Sequence, residues 1–369
     1  MAAPLAGRLV VEACQRVAGP MAAWHLGMLG AEVVKVEPPT GDVARSWGTG
    51  AVFDLLNSGK RCVSLDPATA PGAEELRRLC ARADAVLADA DLVPEVAEAA
   101  GGDRLRAVVT IDAADVPGGH GTGETLAQAA LALTCYVGEW GGEPVRVGAD
   151  LASVTAAAHA AQAVLAGLLQ PPGQGPLCAR VSIARSLACE KTIHWAARSD
   201  PDAWTGYHVT SRDRPPDTGW RARDGAMTLE FPPEQYEGWC AFCREAGLEE
   251  LIEEFGEGWY GTVGMEDRAD WARSRYEAAL GRYQRDEAAE LVRRHGGWSV
   301  PFLRAEEVLR HPQGRLFAAA VATEEGYRLR LPWLVGDEVQ GEHRFTQAPA
   351  IGAHDQEVLG AVPSKLGER

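Results

Sequence analysis

With 369 residues, 46% of them hydrophobic, the chain is long enough to bury two cores. A formal net charge of −16 excludes nucleic acid and anionic membrane as main partners, since both repel a polyanion. The opening Met1-Ala-Ala-Pro-Leu-Ala-Gly-Arg8 lacks a signal-type apolar core and the alanine-rich stretch 156–169 is too short to span a bilayer, so a soluble, cytoplasmic protein is expected.

Taken in chain order, Leu9-Val-Val-Glu-Ala13 reads as a buried strand, Gln15 to Pro20 as a turn, and the segment to Gly30 as a helix. Further strands are expected at Glu32–Glu37, Cys62–Asp66, from Ala85, and at Arg106–Ile111, with a helix over about 73–82. Repeated strand and helix units of this length imply an α/β fold built on a doubly wound parallel sheet. Residues 125–197 read as mostly helical and alanine-rich. A smaller α+β region follows, with a hairpin turn at Asp224-Gly225, and the chain returns after Pro301 through a helix at Glu306–Arg310 and a strand at Tyr327–Leu331. The expected organisation is a large domain over 1–200, an inserted smaller domain over 201–300, and a returning segment over 301–369.

Eight cysteines stand scattered among apolar neighbours, which fits reduced, buried thiols better than a disulfide framework. Trp239-Cys-Ala-Phe-Cys243 has metal-like spacing but no second pair near it, so it reads as core, and no metal is assigned.

Chemistry concentrates around Arg146-Val-Gly-Ala-Asp-Leu-Ala-Ser153, where a turn leads into a long alanine-rich helix. Asp150 and Ser153 lie three residues apart, one helical turn on the same face, and both are favoured capping residues at a helix start. Upstream, Gly19-Pro20 bends the chain so that the following helix N-terminus offers free N–H groups to a carbonyl or phosphate. Pro38 stiffens a loop at the C-terminal edge of the sheet, where open α/β sheets place ligands. Lys60 and Arg61 read equally as phosphate donors and as solvated turn charges.

Several of these segments in order, Val17-Ala-Gly-Pro20, Leu29-Gly-Ala-Glu-Val-Val-Lys-Val-Glu-Pro-Pro39, Arg45-Ser-Trp47, Asn57-Ser-Gly-Lys-Arg61 and the C-terminal Ala348-Pro-Ala-Ile-Gly-Ala-His354, resemble family III CoA-transferases over nearly the whole chain. The resemblance implies an interlocked homodimer and an aspartate nucleophile five residues after the glycine of the Arg-Val-Gly turn. Here that position is Ser153. It also implies substrate or CoA contacts from Gln15, Val17, Ala18, Gly19, Pro38, Lys60, Arg61, Asp89, Tyr136 and Arg146, with Asp150 and Ser153 as the catalytic candidates.

The departures from the family cluster in the same places. Ala88-Asp-Ala-Asp-Leu-Val-Pro94 stands where members carry an amide- and arginine-bearing turn along the nucleotide path, and its two aspartates repel polyphosphate. Pro117 to Glu124 keeps the flexibility of a family loop but not its Tyr-Asp. Thr134-Cys-Tyr136 stands where racemase members place a proton-transferring histidine, which leaves a racemase or isomerase as the third choice. A serine needs a base where an aspartate does not. Either Asp150 acts from one turn away, or Ser153 serves a changed acyl-transfer reaction with Asp150 or His159 as helper, or both residues only cap the helix. The expected function is a family homologue acting on a small acyl or carboxylate substrate, without a covalently bound cofactor and with CoA or acyl-CoA as a ligand the aspartates disfavour. The alternative is a non-catalytic or CoA-independent subunit that partners an active paralogue in a heteromer.

Overall fold

A computed structural model describes residues 3–92, 104–112, 123–136, 143–171, 173–192, 219–256, 269–308, 310–312, 320–323, 326–330, 334–335, 338–339, 342–344 and 346–360. The chain divides into one unit of Met1–Lys191 with Ala319–Arg369 and a second of Thr192–Ala318.

The first unit is built on six parallel strands: β1 (Leu9–Ala13), β2 (Glu32–Glu37), β3 (Arg61–Ser64), β4 (Ala85–Asp89), β5 (Ala107–Asp112) and β6 (Leu177–Ser182), in the spatial order β3-β2-β1-β4-β5-β6. Alternation along the strands feeds two cores. Val10, Leu87 and Val109 face the helices α1 (Ala18–Met28) and Leu151–Leu169, while Val11, Val86 and Val108 face α2 (Ala70–Ala81) through Leu76 and Leu79. Both faces are thus covered, which is why these strands read as continuous apolar runs. The order reverses between β1 and β4, so their C-terminal ends diverge and open a crevice.

Helix Leu151–Leu169 has the length and composition of a membrane span. Its alanine stripe, Ala152, Ala156, Ala157, Ala160 and Val164, is instead buried in the sheet-facing core. Small residues there let the helix lie close against α1 and β5. The C-terminal residues return to the free edge of β3: the Cys62 N–H donates to His354 Nδ1 at 3.1 Å and the Ser64 N–H to Asp355 Oδ1 at 2.8 Å.

The structure departs from expectation at three places. The stretch expected to be helical to residue 197 contains β6, which satisfies the otherwise open edge of β5. Helix α1 begins at Ala18 and takes Gly19 and Pro20 into its first turn. Pro301 bridges Met227 and the Phe302 N–H donates to Ala226 at 2.8 Å, so residues after 300 belong with the smaller unit and the return starts at about 319.

The smaller unit has the expected hairpin, Trp220–Arg221 against Ala226–Met227. Its own core is made by Met227, Phe242, Leu251 and Tyr276, with the Trp239 indole donating to the Tyr276 hydroxyl at 2.9 Å. Cys240 and Cys243 are buried within it.

Candidate active site

The crevice between β1 and β4 holds a cavity of about 490 Å³ in the first unit, lined by residues from Gln15 to Gly19, Trp47, the Asp89–Asp91 turn, Ile111, Asp112, the helix start at Gly123–Thr125, Arg146, Asp150, Ser153 and Ile183.

The floor under it is an ion network. Glu12, Lys35, Asp42 and Lys60 are all buried, and Lys35 Nζ meets Glu12 at 3.1 Å and Asp42 at 3.0 Å. Burial works against the charge on Lys35, but these two carboxylates overcome it and raise its pKa. Lys60 Nζ pairs with Glu12 at 3.0 Å and donates to the carbonyl of Pro20 and to Asn57 Oδ1. Burial, with Lys35 nearby, lowers its pKa although Glu12 opposes this. Arg45 grips Glu37 with two 2.7 Å hydrogen bonds and donates to the Pro349 carbonyl.

This network holds the Gln15–Val17 turn. The Gln15 N–H donates to Asp89 Oδ2 at 3.0 Å and the Arg16 N–H to Asp42 Oδ1 at 3.1 Å. Arg16 sits at φ +72°, a left-handed conformation that costs a non-glycine residue about 1–3 kcal/mol. Its guanidinium makes no hydrogen bond or ion pair with any described residue. Burial pushes the Asp89 carboxyl up to about 7; the Gln15 N–H opposes the shift, while Asp91 and Glu12 add to it.

At the far wall stands Ser153, one turn into its helix. Glu124 is nearly buried and reaches across from helix Gly123–Ala130: its Oε2 accepts from the Ser153 N–H and from Ser153 Oγ, both at 2.8 Å, and its Oε1 accepts from the Ala152 N–H at 3.1 Å and Gln128 Nε2 at 2.7 Å. A carboxylate from another helix therefore caps this N-terminus. The cap reading of Asp150 is corrected by this geometry, since its side chain makes no capping bond and instead pairs with Arg146 at 2.8 Å, both half exposed.

Of the residues singled out in the sequence, the cavity gathers Gln15, Val17, Ala18, Gly19, Asp89, Arg146, Asp150 and Ser153. Pro38, Lys60 and Arg61 lie outside it. Lys60 turns inward to Glu12, and Arg61 faces Glu32 and Glu357 on the β3 side. Tyr136 ends a short turn at Leu133–Tyr136, its side chain outside the described residues, as are Pro94 and most of the 117–124 loop. The sequence does not single out Arg16 or Glu124 as site residues. Nothing local marks Glu124, which precedes Ser153 by 29 residues, while a charged residue at the Gly19-Pro20 turn was the available sign for Arg16.

Comparison with known proteins accords with this architecture. The sequence profile of CoA-transferase family III matches residues 5–106 and 119–355. The succinyl-CoA:glutarate CoA-transferase of Mus musculus is 26% identical over 272 residues, 68% of this chain, and a formyl-CoA:oxalate CoA-transferase of Streptomyces avermitilis is 31% identical over 47% of this chain and 46% of its own. This chain spans only 61% of the mouse protein's length. Among solved structures, Rv3272 of Mycobacterium tuberculosis superposes with a TM-score of 0.78 at 22% identity, covering 96% of this chain and 98% of that one. A CAIB/BAIF family protein of Brucella suis gives 0.78 at 20% identity, over 95% and 97% of the two chains. With its doubly wound sheet, its crevice at the strand reversal and a profile match over most of its length, this chain belongs to CoA-transferase family III.

Proposed function

We propose that the protein is an acyl-transfer enzyme for a small acyl or carboxylate substrate, in which Ser153, with Glu124 as its base, replaces the aspartate that family resemblance implies. The observation that carries this reading is the 2.8 Å hydrogen bond from Ser153 Oγ to Glu124 at the cavity wall. A hydroxyl becomes a competent nucleophile when a fixed base takes its proton. In the proposed half-reaction, Oγ attacks the acyl carbonyl of a thioester and the C–S bond breaks. The hydroxyl proton passes to Glu124 and on to the departing thiolate, leaving an acyl-serine ester. Ala18 and Gly19 line the same cavity from the first turn of α1, where N–H groups lack partners within the helix, and these are the donors we assign to that carbonyl. An ester is a weaker donor than a thioester or anhydride, so water, an alcohol or an amine completes the cycle more readily than a second thiol.

The test is acyl trapping. Purified protein is incubated with acetyl-CoA and longer acyl-CoAs, and the adduct is located by peptide mass spectrometry. An ester on Ser153 that disappears in Ser153→Ala and falls at least about 100-fold in rate in Glu124→Gln supports the reading. An adduct on Asp150 transfers the role to that carboxylate. A protein that forms no adduct with any donor fits the second reading, a non-catalytic subunit of a heteromer, which the complete hydrogen bonding of Glu124 by four donors favours. The proposal includes a cytoplasmic homodimer, for which light scattering after size exclusion is the measurement.

A further inference from the structure

We propose that the cavity is selective for a ligand bearing a single carboxylate, and that Arg16 receives it. The inference rests on the reading of this cavity as an acyl-transfer site. Two arginines line it. Arg146 is already committed to Asp150 at 2.8 Å and to Thr125 Oγ1 at 3.1 Å. Arg16 has no partner among the described residues, although carboxylates share its cavity.

Its backbone explains why it stays uncommitted. The Arg16 N–H is tied to Asp42, and Asp42 is locked by the buried Lys35 and by the Ala44 N–H at 2.9 Å. The left-handed φ of +72° is therefore imposed by the floor of the site and fixes where the side chain starts. Glycine would hold this conformation without strain, so retaining a strained arginine calls for a role of its side chain. A guanidinium in a partly enclosed site is suited to a carboxylate, which it meets through two parallel hydrogen bonds.

The remaining lining charge limits the ligand to one such group. Asp91, joined above about pH 7 by Asp89, stands on the opposite β4 turn without an ion-pair partner among the described residues, and a second anionic group or a polyphosphate placed there is repelled.

The experiment keeps the carbon skeleton fixed and changes only charge. Dimethyl glutarate, monomethyl glutarate and glutarate carry zero, one and two carboxylates. Their binding is measured at pH 8, where Asp89 is ionised, by ligand-observed NMR to the full chain in a Ser153→Ala background, which prevents turnover of the esters. Monomethyl glutarate is expected to bind at least about 10-fold tighter than either neighbour in the series. Arg16→Gly is expected to bring mono- and dimethyl glutarate to within about 3-fold while the protein melts no lower, because the strain is relieved. Arg16→Lys keeps the charge and part of the preference, and Asp89→Asn with Asp91→Asn narrows the gap to glutarate. Equal binding of the three probes, tightest binding by glutarate, or an unchanged order in Arg16→Gly would overturn the proposal. The acyl-trapping outcome is independent: an intact binding order without a Ser153 adduct sinks the catalytic reading alone, and an adduct with no binding order sinks this one alone.

Discussion

Ser153 Oγ and Glu124 Oε2 lie 2.8 Å apart, and the same carboxylate oxygen takes the Ser153 backbone N–H. One side chain therefore closes the start of helix Leu151–Leu169 and orients the hydroxyl that lines the cavity.

Glu124→Ala should destabilise the protein by about 2–4 kcal/mol, because it strands the N–H groups of Ala152 and Ser153 in a buried setting. Ser153→Ala keeps those bonds to Glu124 and should cost about 1 kcal/mol or less. Urea titrations of the two variants check the ordering, and a Ser153→Ala loss equal to that of Glu124→Ala would refute it.

The adjacent cations Lys60 and Arg61 should behave very differently. Lys60→Met leaves Glu12 with one counter-charge and strips partners from Asn57 and the Pro20 carbonyl, so a loss of about 3–5 kcal/mol is expected. Arg61→Ala removes a partly exposed pairing with Glu357 and should cost about 1 kcal/mol or less. Thermal melting of both variants decides the matter.

Asp89 sets a pH dependence of stability. Its folded carboxyl holds a proton to about 7, whereas an unfolded aspartate releases it near about 3.9. Folding thus takes up a proton between these values, and the sign is a stability that falls as pH rises from about 4 to about 7 and stays lowered above. The shift comes from burial, with Asp91 and Glu12 adding to it and the Gln15 N–H and Lys35 opposing. Asp89→Asn should remove that slope and gain roughly 1–3 kcal/mol at pH 8 while changing little at pH 4. Melting curves across this range are the measurement, and an unchanged difference between variant and wild type at the two pH values would contradict the assignment.

Gly19 is held by space. A Cβ there would stand 2.2 Å from Cys14 Cβ and 2.4 Å from its sulfur. Gly19→Ala should therefore cost about 1–3 kcal/mol through overpacking of the β1–α1 turn. Adding Cys14→Gly should return part of that loss, and strictly additive destabilisation in the double variant would show that the contact is not the cause.

The sequence alone determined the parallel sheet, because Val-rich runs between glycine and proline turns suit strands covered on both faces, and its ordered motifs carry the resemblance to the family. It also marked the crevice loop at Gln15–Gly19 and the pair Asp150 and Ser153. It points to helix where β6 stands, because Leu177-Cys-Ala-Arg-Val-Ser182 has no strong local preference of its own and becomes a strand by pairing with β5. Lys60 and Arg61 look alike in the chain. Strand pleating and the placement of Glu12 turn one inward and leave the other at the surface. Only the tertiary structure decided that Asp150 goes to Arg146, that Glu124 serves Ser153 from another helix, and that Arg16 reaches the cavity uncommitted. Arg146 and Asp150 are only four residues apart, and the course of the turn into the helix decides that they pair, whereas Glu124 and Ser153, like Arg16 and Asp42, are more than twenty residues apart and meet through the packing of helices and strands around the β1–β4 reversal.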